Sequence, residues 1–181
     1  MFSFTKNEML ALWRRCLGFD TIRTDCTVSS YEGIYVDDII TRHMRQWYLH
    51  LLDTAPAHLV PTADFAESAS LTIGSDGWGR IELPEGARRP ISIKLSGWNV
   101  AAQVISDEKA EPILARMASP FAMPGPCSPL AFYRHGLRIN PAIGNIEGLI
   151  AVADPGPERF DLDESLIATI SHNLPSIPLF N

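Results

Sequence analysis

Residues 71–98 read LTIGSDGWGRIELPEGARRPISIKLSGW, and this stretch decides the fold. Apolar and polar residues alternate along much of it, which is the period of a half-buried β-strand. Asp76-Gly77 interrupts the alternation, and an Asp-Gly pair between alternating segments favours a tight hairpin because glycine accepts a positive φ. The apolar alternation resumes after Gly97 and continues to Val104. Residues 69–105 are therefore predicted to form a four-strand antiparallel meander.

Two helices are predicted before this region. Thr5 and Glu8 have the spacing of a capping box, in which a hydroxyl and a carboxylate each satisfy a backbone N–H left unpaired by the first turn. The apolar spacing behind this box predicts a first helix over about Lys6 to Leu17. Apolar residues at three- and four-residue intervals predict a second, long helix over 31–53. It ends before Pro56, because a proline pushes the preceding residue out of the helical region.

The second half of the chain is rich in proline and glycine, which mark turns and loops. Strands are predicted there at 130–135, 137–139 and 146–152. Residues 107–117 have the spacing of one or two helical turns. A short helix is predicted at 161–170, because acidic residues open it and apolar residues then recur on one face.

These elements predict an α+β protein. It has two N-terminal helices, an antiparallel β meander or sandwich in the middle, and a short C-terminal helix. The predicted organisation is a helical segment at 1–60, a β region at 61–155, and a C-terminal helix and tail at 156–181 that pack on the helical segment. We expect one compact unit, since 181 residues suffice for one ordinary domain.

The charge and cysteine content argue against several classes of function. The formal net charge is −6, from 15 basic and 21 acidic residues, and no third of the chain is basic. Direct DNA or RNA binding is not expected, because phosphate neutralisation supplies most sequence-independent affinity for nucleic acids. Three isolated cysteines without a Cys-x-x-Cys motif fit a reducing compartment. No apolar run is long enough to span a membrane, so a cytoplasmic or virion-incorporated protein is predicted.

The patterns that suggest chemistry are weak. His43 and His50 can share a face of the long helix, but no carboxylate or cysteine stands at the spacing of a metal site. GSDGWG, residues 74–79, lacks a P-loop lysine and lies between predicted strands, so a hairpin tip is favoured over a phosphate loop. A hydrolase triad would have to be assembled from scattered residues, because the chain has no G-x-S-x-G motif. No catalytic residue, cofactor or metal ligand is predicted.

Apolar and aromatic side chains supply the candidate interaction surface, which comprises Trp47, Tyr48, Leu51 and Trp78. Trp47 lies centrally in the apolar stripe of the long helix, so burial in the fold and burial against a partner are both open. We predict burial in the fold for Trp47. The stripe is broad, and we also predict that part of it remains for a second copy or another protein. Trp78 lies at the hairpin tip, where an indole ring can stack on a sugar or fill a partner's pocket.

Features spread over most of the chain carry a resemblance to a known group. They are the two N-terminal helices, RQWY at 45–48, GRIELP at 79–84, RPI at 89–91 and GW at 97–98. This set resembles the neck or head-to-tail adaptor proteins and related virion proteins of tailed bacteriophages, which are often found in prophages. The resemblance implies a helical bundle from which a β region projects, copies assembled in a ring, and interfaces in place of an active site.

The partners implied by the resemblance are portal or tail components and further copies of the chain. The chain is therefore predicted to be a non-enzymatic virion structural protein of the head–tail connector type. A small-ligand or glycan-binding module that uses Trp78 and the loops of the β region is the alternative. An unrecognised hydrolase is the second alternative.

Overall fold

The computed structural model describes residues 1–17, 30–31, 34–106, 123–134 and 136–170. The chain divides into two units by its contacts: unit 1 comprises Met1–Pro61 and Asp154–Asn181, and unit 2 comprises Thr62–Ala153. The α+β class is confirmed. The predicted helical turns at 107–117 and the tail after residue 170 lie outside the described residues.

The described elements comprise three α-helices and twelve strands. The helices are α1 (Lys6–Cys16), α2 (Val36–Thr54) and α3 (Glu164–Ile167). The strands are β1 (Phe2–Thr5), β2 (Ser30–Tyr31), β3 (Ile34–Tyr35), β4 (Thr62–Asp64), β5 (Ser70–Ile73), β6 (Gly79–Glu82), β7 (Ala87–Leu95), β8 (Ala102–Ser106), β9 (Leu130–Tyr133), β10 (Leu137–Asn140), β11 (Ile146–Ala153) and β12 (Arg159–Leu162).

The capping box that opens α1 is present as predicted. The Glu8 N–H donates to the Thr5 hydroxyl at 3.3 Å, and the Thr5 N–H donates to the Glu8 carboxylate at 2.8 Å. These bonds satisfy two N–H groups of the first turn and fix the start of the helix. The backbone bond from Thr5 also lowers the pKa of Glu8, because it stabilises the ionised carboxylate.

The second helix begins later than predicted. It starts at Val36 because Ile34–Tyr35 forms β3 and pairs with β2. Asp37 and Asp38 then occupy its first turn, where the helix dipole favours negative charge. The helix has 19 residues and ends at Thr54, two residues before Pro56.

The predicted C-terminal helix at 161–170 is wrong over its first residues. Asp161 and Leu162 belong to β12, which pairs with β1 so that Phe4 faces Phe160 and Phe2 faces Leu162. These residues form a strand because β1 pairs with them. A pattern of neighbouring residues does not reveal a partner that is distant in sequence. α3 follows as a single turn, opened by the Asp163 side chain, which accepts from the Ser165 N–H at 3.1 Å.

Unit 2 is built on an eight-stranded sheet in the order β4-β11-β7-β8-β9-β10-β6-β5. The predicted hairpins β5–β6 and β7–β8 are both antiparallel pairs. The predicted continuous meander is wrong at one link, because β6 and β7 are not neighbours and β8, β9 and β10 lie between them. The pair β8–β9 is parallel, so the sheet is mixed.

The core of unit 2 draws on six strands. Its buried members are Ile81, Ile93, Leu95, Trp98, Ala102, Ala131, Leu137, Ile139 and Leu149. Most of them alternate along their strands with more exposed residues. On β6, for example, Ile81 is buried between the exposed residues Arg80 and Glu82. Burial of one face of each strand accounts for the period of two seen in the sequence.

The turn between β5 and β6 is the predicted hairpin tip, and Gly77 has a φ of +77° there. A Cβ added at Gly77 would meet no atom within 4 Å, so a substitution costs only backbone strain. Gly77→Val is expected to lower the free energy of unfolding by about 1–2 kcal/mol, because a β-branched residue disfavours positive φ. Denaturant midpoints of the variant and the parent measure this. Gly125→Val is the control: Gly125 has equal room and no positive φ, so its midpoint should not change. Equal midpoints for all three proteins would contradict the prediction.

Candidate interaction site

Three of the four predicted interaction residues are buried inside unit 1. Trp47 is 6% exposed, Leu51 is 9% exposed and Tyr48 is fully buried. The Trp47 ring packs edge-on against Trp13 at a centroid distance of 5.6 Å, and Tyr48 packs edge-on against Phe160 at 5.0 Å. The apolar stripe of α2 thus serves the core of unit 1. The predicted burial of Trp47 in the fold is confirmed, and the other two α2 residues proposed for an interaction surface, Tyr48 and Leu51, are buried in unit 1 as well.

The Tyr48 hydroxyl has a structural role in unit 1. It donates to the Asp161 carbonyl at 2.9 Å and accepts from the Asp161 N–H at 3.0 Å. Burial raises the pKa of the phenol well above its ordinary value, so the hydroxyl stays protonated and can donate at all physiological pH. Tyr48 therefore ties α2 to β12 and is not poised for acid–base chemistry.

Arg45 also belongs to the framework of unit 1. Its guanidinium pairs with the Asp154 carboxylate at 2.5 Å and donates to the Gly156 carbonyl at 3.1 Å. Both side chains of this pair are largely buried. Asp154 is the residue at which the chain re-enters unit 1, so the pair fixes the start of that segment.

Trp78 is the one of the four predicted interaction residues that is not buried. It is half-buried at the hairpin tip and leans on Phe132 with a centroid distance of 5.8 Å. The Arg138 guanidinium lies 5.1 Å from the centre of the Trp78 ring, within cation–π range. Arg138 pairs with Asp76 at 3.2 Å, and Asp76 accepts from the Trp78 N–H at 3.1 Å. The ring therefore contacts Phe132 and Arg138, while Asp76 holds the backbone N–H of Trp78.

Strand pairing places Trp78 at one end of unit 2 together with three other segments. Gly79 pairs with Ile139, and Leu130 pairs with Asn140, so β6 and β9 begin where β10 ends. Since β8 is parallel to β9 and antiparallel to β7, the end of β7 and the start of β8 lie there too. We call these four segments, 74–78, 96–101, 123–129 and 141–145, the loop end of unit 2.

Hydrogen bonds and close contacts lock the segments of the loop end to one another. The Trp98 ring is buried, and its indole N–H donates to the Pro141 carbonyl at 2.8 Å. The Asn99 N–H donates to the Pro126 carbonyl, also at 2.8 Å. A face that is fixed before a partner arrives loses little ordering entropy when it binds.

The loop end exposes apolar side chains. In the described part of unit 2, the large apolar residues that are exposed are Ile73 (62%), Val100 (47%), Met123 (74%) and Ile143 (42%). Val100, Met123 and Ile143 belong to the loop end, and Ile73 directly precedes it. Isolated exposed apolar residues are ordinary, but their concentration at one end of a sheet is typical of a binding surface.

The loop end is also almost free of charge. Segments 96–101, 123–129 and 141–145 contain no Asp, Glu, Lys or Arg, although 20% of the chain is charged. Connections at the other end of the same sheet carry charges, among them Glu85 and Arg134. Depletion of charge with enrichment of Trp, Met and Arg distinguishes the centre of a protein–protein interface from other surface. Arg138 and Asp76 lie at the border of this uncharged region.

The sequence interpretation missed Val100, Met123 and Ile143, because it judged each segment by its own pattern. A signal was nevertheless present: three Gly-containing segments, two of them also with Pro, without a single charge. Only the sheet order shows that these segments meet.

The described residues contain no group of three or more His, Cys, Asp or Glu side chains that could hold a metal ion. His43 and His50 lie on α2, half-buried and exposed respectively. Among the described residues, no helix has the length and the hydrophobicity needed to cross a membrane.

No protein-family model matches the chain, and no curated protein matches it.

Proposed function

We propose that the protein is a non-enzymatic structural component of a tailed-phage or prophage virion, of the head-to-tail adaptor type, and that it acts through protein–protein contacts. The observation that carries this proposal is the loop end of unit 2. Its exposed apolar side chains and its three segments without charge, beside Trp78 and Arg138, have the composition of an interface centre.

The division of the chain supports the adaptor type. The helices α1 and α2 belong to unit 1, and the eight-stranded sheet belongs to unit 2. A helical part and a β part are what the resemblance to neck proteins implies. The interface now proposed lies on unit 2, because the apolar stripe of α2 is consumed by the core of unit 1.

Particle composition tests the proposal directly. Phage particles are induced from the source strain, purified on a density gradient and analysed by quantitative mass spectrometry. We expect the chain in intact particles at a constant ratio to the portal protein, because adaptors occupy a ring of fixed copy number. A chain that is expressed during induction and is absent from purified particles would sink the proposal.

Trp78 provides a residue-level prediction for binding to the portal and tail proteins of the same particle. Trp78→Ala is expected to weaken that binding by about tenfold or more, since Trp residues flanked by Arg are frequent hot spots. The control is Glu82→Ala at the far end of β6, the strand that Trp78 directly precedes. Glu82 is exposed, and its variant should leave binding intact. Affinity is measured by biolayer interferometry, with melting temperatures recorded for both variants. Equal affinities for the two variants would remove Trp78 from the interface.

A small-ligand or glycan-binding module is the second candidate, and the Trp78 site favours it specifically. An accessible indole beside Arg138 and Asp76 combines a stacking surface with groups that hydrogen-bond hydroxyls. Trp13, Trp47 and Trp98 are buried, so tryptophan fluorescence on ligand addition reports mainly on Trp78. A glycan that binds on an array and shifts this fluorescence would favour the second candidate over the first.

A further inference from the structure

We infer that unit 1 contains a binding site for a small zwitterion of the α-amino-acid class, with an apolar side chain. The site is a cleft of about 300 Å³ along one face of α2. Small-molecule sites begin at about this size, so the occupant is a compact molecule. The inference goes beyond the proposed function and does not depend on it.

The cleft has two walls, and both belong to unit 1. One wall is the face of α2 that runs from Asp38 to Gln46, over more than two helical turns. The other wall consists of Lys6 at the start of α1 together with Pro157 and Phe160. Most of the surface between these walls is apolar, with the buried Phe160 at its base.

Hydrogen bonds and ion pairs fix the two walls against each other. The Lys6 N–H donates to the Glu158 carbonyl at 3.0 Å, and the Lys6 ammonium pairs with the Glu158 carboxylate at 3.3 Å. Arg45, on the other wall, is bonded to Asp154 and to the Gly156 carbonyl. The charges of Lys6 and Arg45 are therefore already used within unit 1. The cleft is formed before a ligand arrives, which reduces the ordering cost of binding.

Two opposite charges in the cleft remain available. Asp38 and Arg42 both line it, lie four residues apart on α2 and are exposed. A carboxylate four residues before an arginine ordinarily closes into an ion pair on the helix surface. Here the two groups are not paired with each other, and neither side chain has a partner in the part of the chain that the structure describes. The cleft thus presents a negative and a positive group, with Cβ atoms about 5–6 Å apart.

An α-amino acid meets both charges at once, because its ammonium and its carboxylate are attached to the same carbon. The ammonium pairs with Asp38, and the carboxylate accepts from the Arg42 guanidinium, whose planar fork matches a carboxylate. Asp38 repels a simple anion and Arg42 repels a simple cation, so the two residues together select a ligand of both signs. The apolar surface at Pro157 and Phe160 receives the side chain of the amino acid.

An NMR titration of the isotope-labelled full chain with L-phenylalanine, L-leucine and L-methionine tests the inference. We expect at least one of them to bind with a Kd of about 1 mM or lower and to shift the amide signals of Asp38, Thr41 and Gln46. Analogues of the best binder that lack one charge are the matched probes: for L-phenylalanine these are 3-phenylpropanoate and 2-phenylethylamine. Each analogue should bind about tenfold or more weakly, because one charged group of the cleft loses its partner.

Two variants assign the charges of the ligand to residues. Asp38→Asn and Arg42→Gln should each weaken binding of the amino acid by about tenfold or more. Asp38→Asn should then bind the carboxylate analogue as well as it binds the amino acid, and Arg42→Gln should do the same for the amine analogue. A purely structural effect would not exchange these preferences. The controls are Glu82→Gln and Arg80→Gln, which remove the same charges from exposed positions on β6 in unit 2 and should bind like the parent.

Several outcomes would overturn the inference. One is that none of the three amino acids shifts the signals of the cleft at about 10 mM. Another is that the analogues bind as tightly as the amino acid, because the two charges then play no part. Signal changes centred on Trp78 would move the site to unit 2. Equal loss of binding in the β6 controls would remove Asp38 and Arg42 from the site.

Discussion

Trp47→Ala is expected to lower the free energy of unfolding by about 3–5 kcal/mol, the usual loss when a buried tryptophan is truncated. The Trp47 side chain is 6% exposed and packs edge-on against the fully buried Trp13 ring, so its removal leaves a cavity at the centre of unit 1. A loss of this size is a large part of the stability of an ordinary domain. Thermal and denaturant unfolding of the variant beside the parent measure it.

Trp47→Phe is the matched control for that prediction. The indole N–H groups of Trp13 and Trp47 are buried, and neither has an acceptor within the part of the chain that the structure describes. Phenylalanine keeps most of the ring contact and removes one of these unpaired donors, whose burial is unfavourable. We expect a loss well below that of the alanine variant. An unfolding midpoint of Trp47→Ala equal to that of the parent would contradict the core assignment and restore Trp47 as a binding anchor.

Gly144→Ala is expected to destabilise the protein by about 2–5 kcal/mol, because two costs combine at this residue. The φ of Gly144 is +88°, which disfavours any residue with a Cβ. The added Cβ would also lie 2.4 Å from the Ser96 hydroxyl oxygen and 2.7 Å from the Gly97 backbone nitrogen. The Gly97 nitrogen belongs to the main chain and cannot rotate away, so segments 96–101 and 141–145 must separate.

Gly77→Ala separates the two costs, because Gly77 has a similar φ of +77° and no atom within 4 Å of an added Cβ. It should lose only about 1 kcal/mol, the strain of positive φ. Chemical denaturation of both variants gives the difference, which measures the crowding at Gly144. If the two losses are equal, the close packing of segments 96–101 and 141–145 is refuted.

Local interactions explain the parts of the fold that the sequence predicts well. The start of α1 follows from Thr5 and Glu8, which are three residues apart and bond to each other. The β5–β6 hairpin likewise follows from Asp76-Gly77, because the turn itself sets the strand register. In both cases the residues that decide the structure are neighbours in the chain.

Long-range pairing explains what the sequence does not predict. The short apolar alternation of β12 is compatible with a strand and with a helix. These residues form a strand because they pair with β1, which lies more than 150 residues away in sequence. The link between β6 and β7 reads as another hairpin, yet β8–β10 are inserted between the two strands. Register and sheet order depend on contacts of this kind, which no local period encodes.

The candidate site shows the same limit. Trp78 is identifiable from sequence as an aromatic residue at a turn, and the structure leaves it half-buried there. From the sequence, Trp47 and Leu51 are as suitable for a partner interface as Trp78 is. An apolar helix face has the same pattern whether the core of the fold or another protein covers it. Val100 and Ile143 lie at the same end of the sheet only because of the strand order, and the sequence does not predict that order.

The pairing of β1 with β12 has a consequence for biosynthesis. A ribosome adds about 5–20 residues per second, so residues 2–5 wait on the order of ten seconds for 159–162 to emerge. Unit 2 is contiguous in sequence, whereas unit 1 is split around it. The strands of the sheet of unit 2 are therefore all synthesised before β12, which unit 1 needs in order to close. Until then Phe4 lacks its strand partner Phe160, and a chaperone that binds apolar N-terminal segments would find it open during that interval.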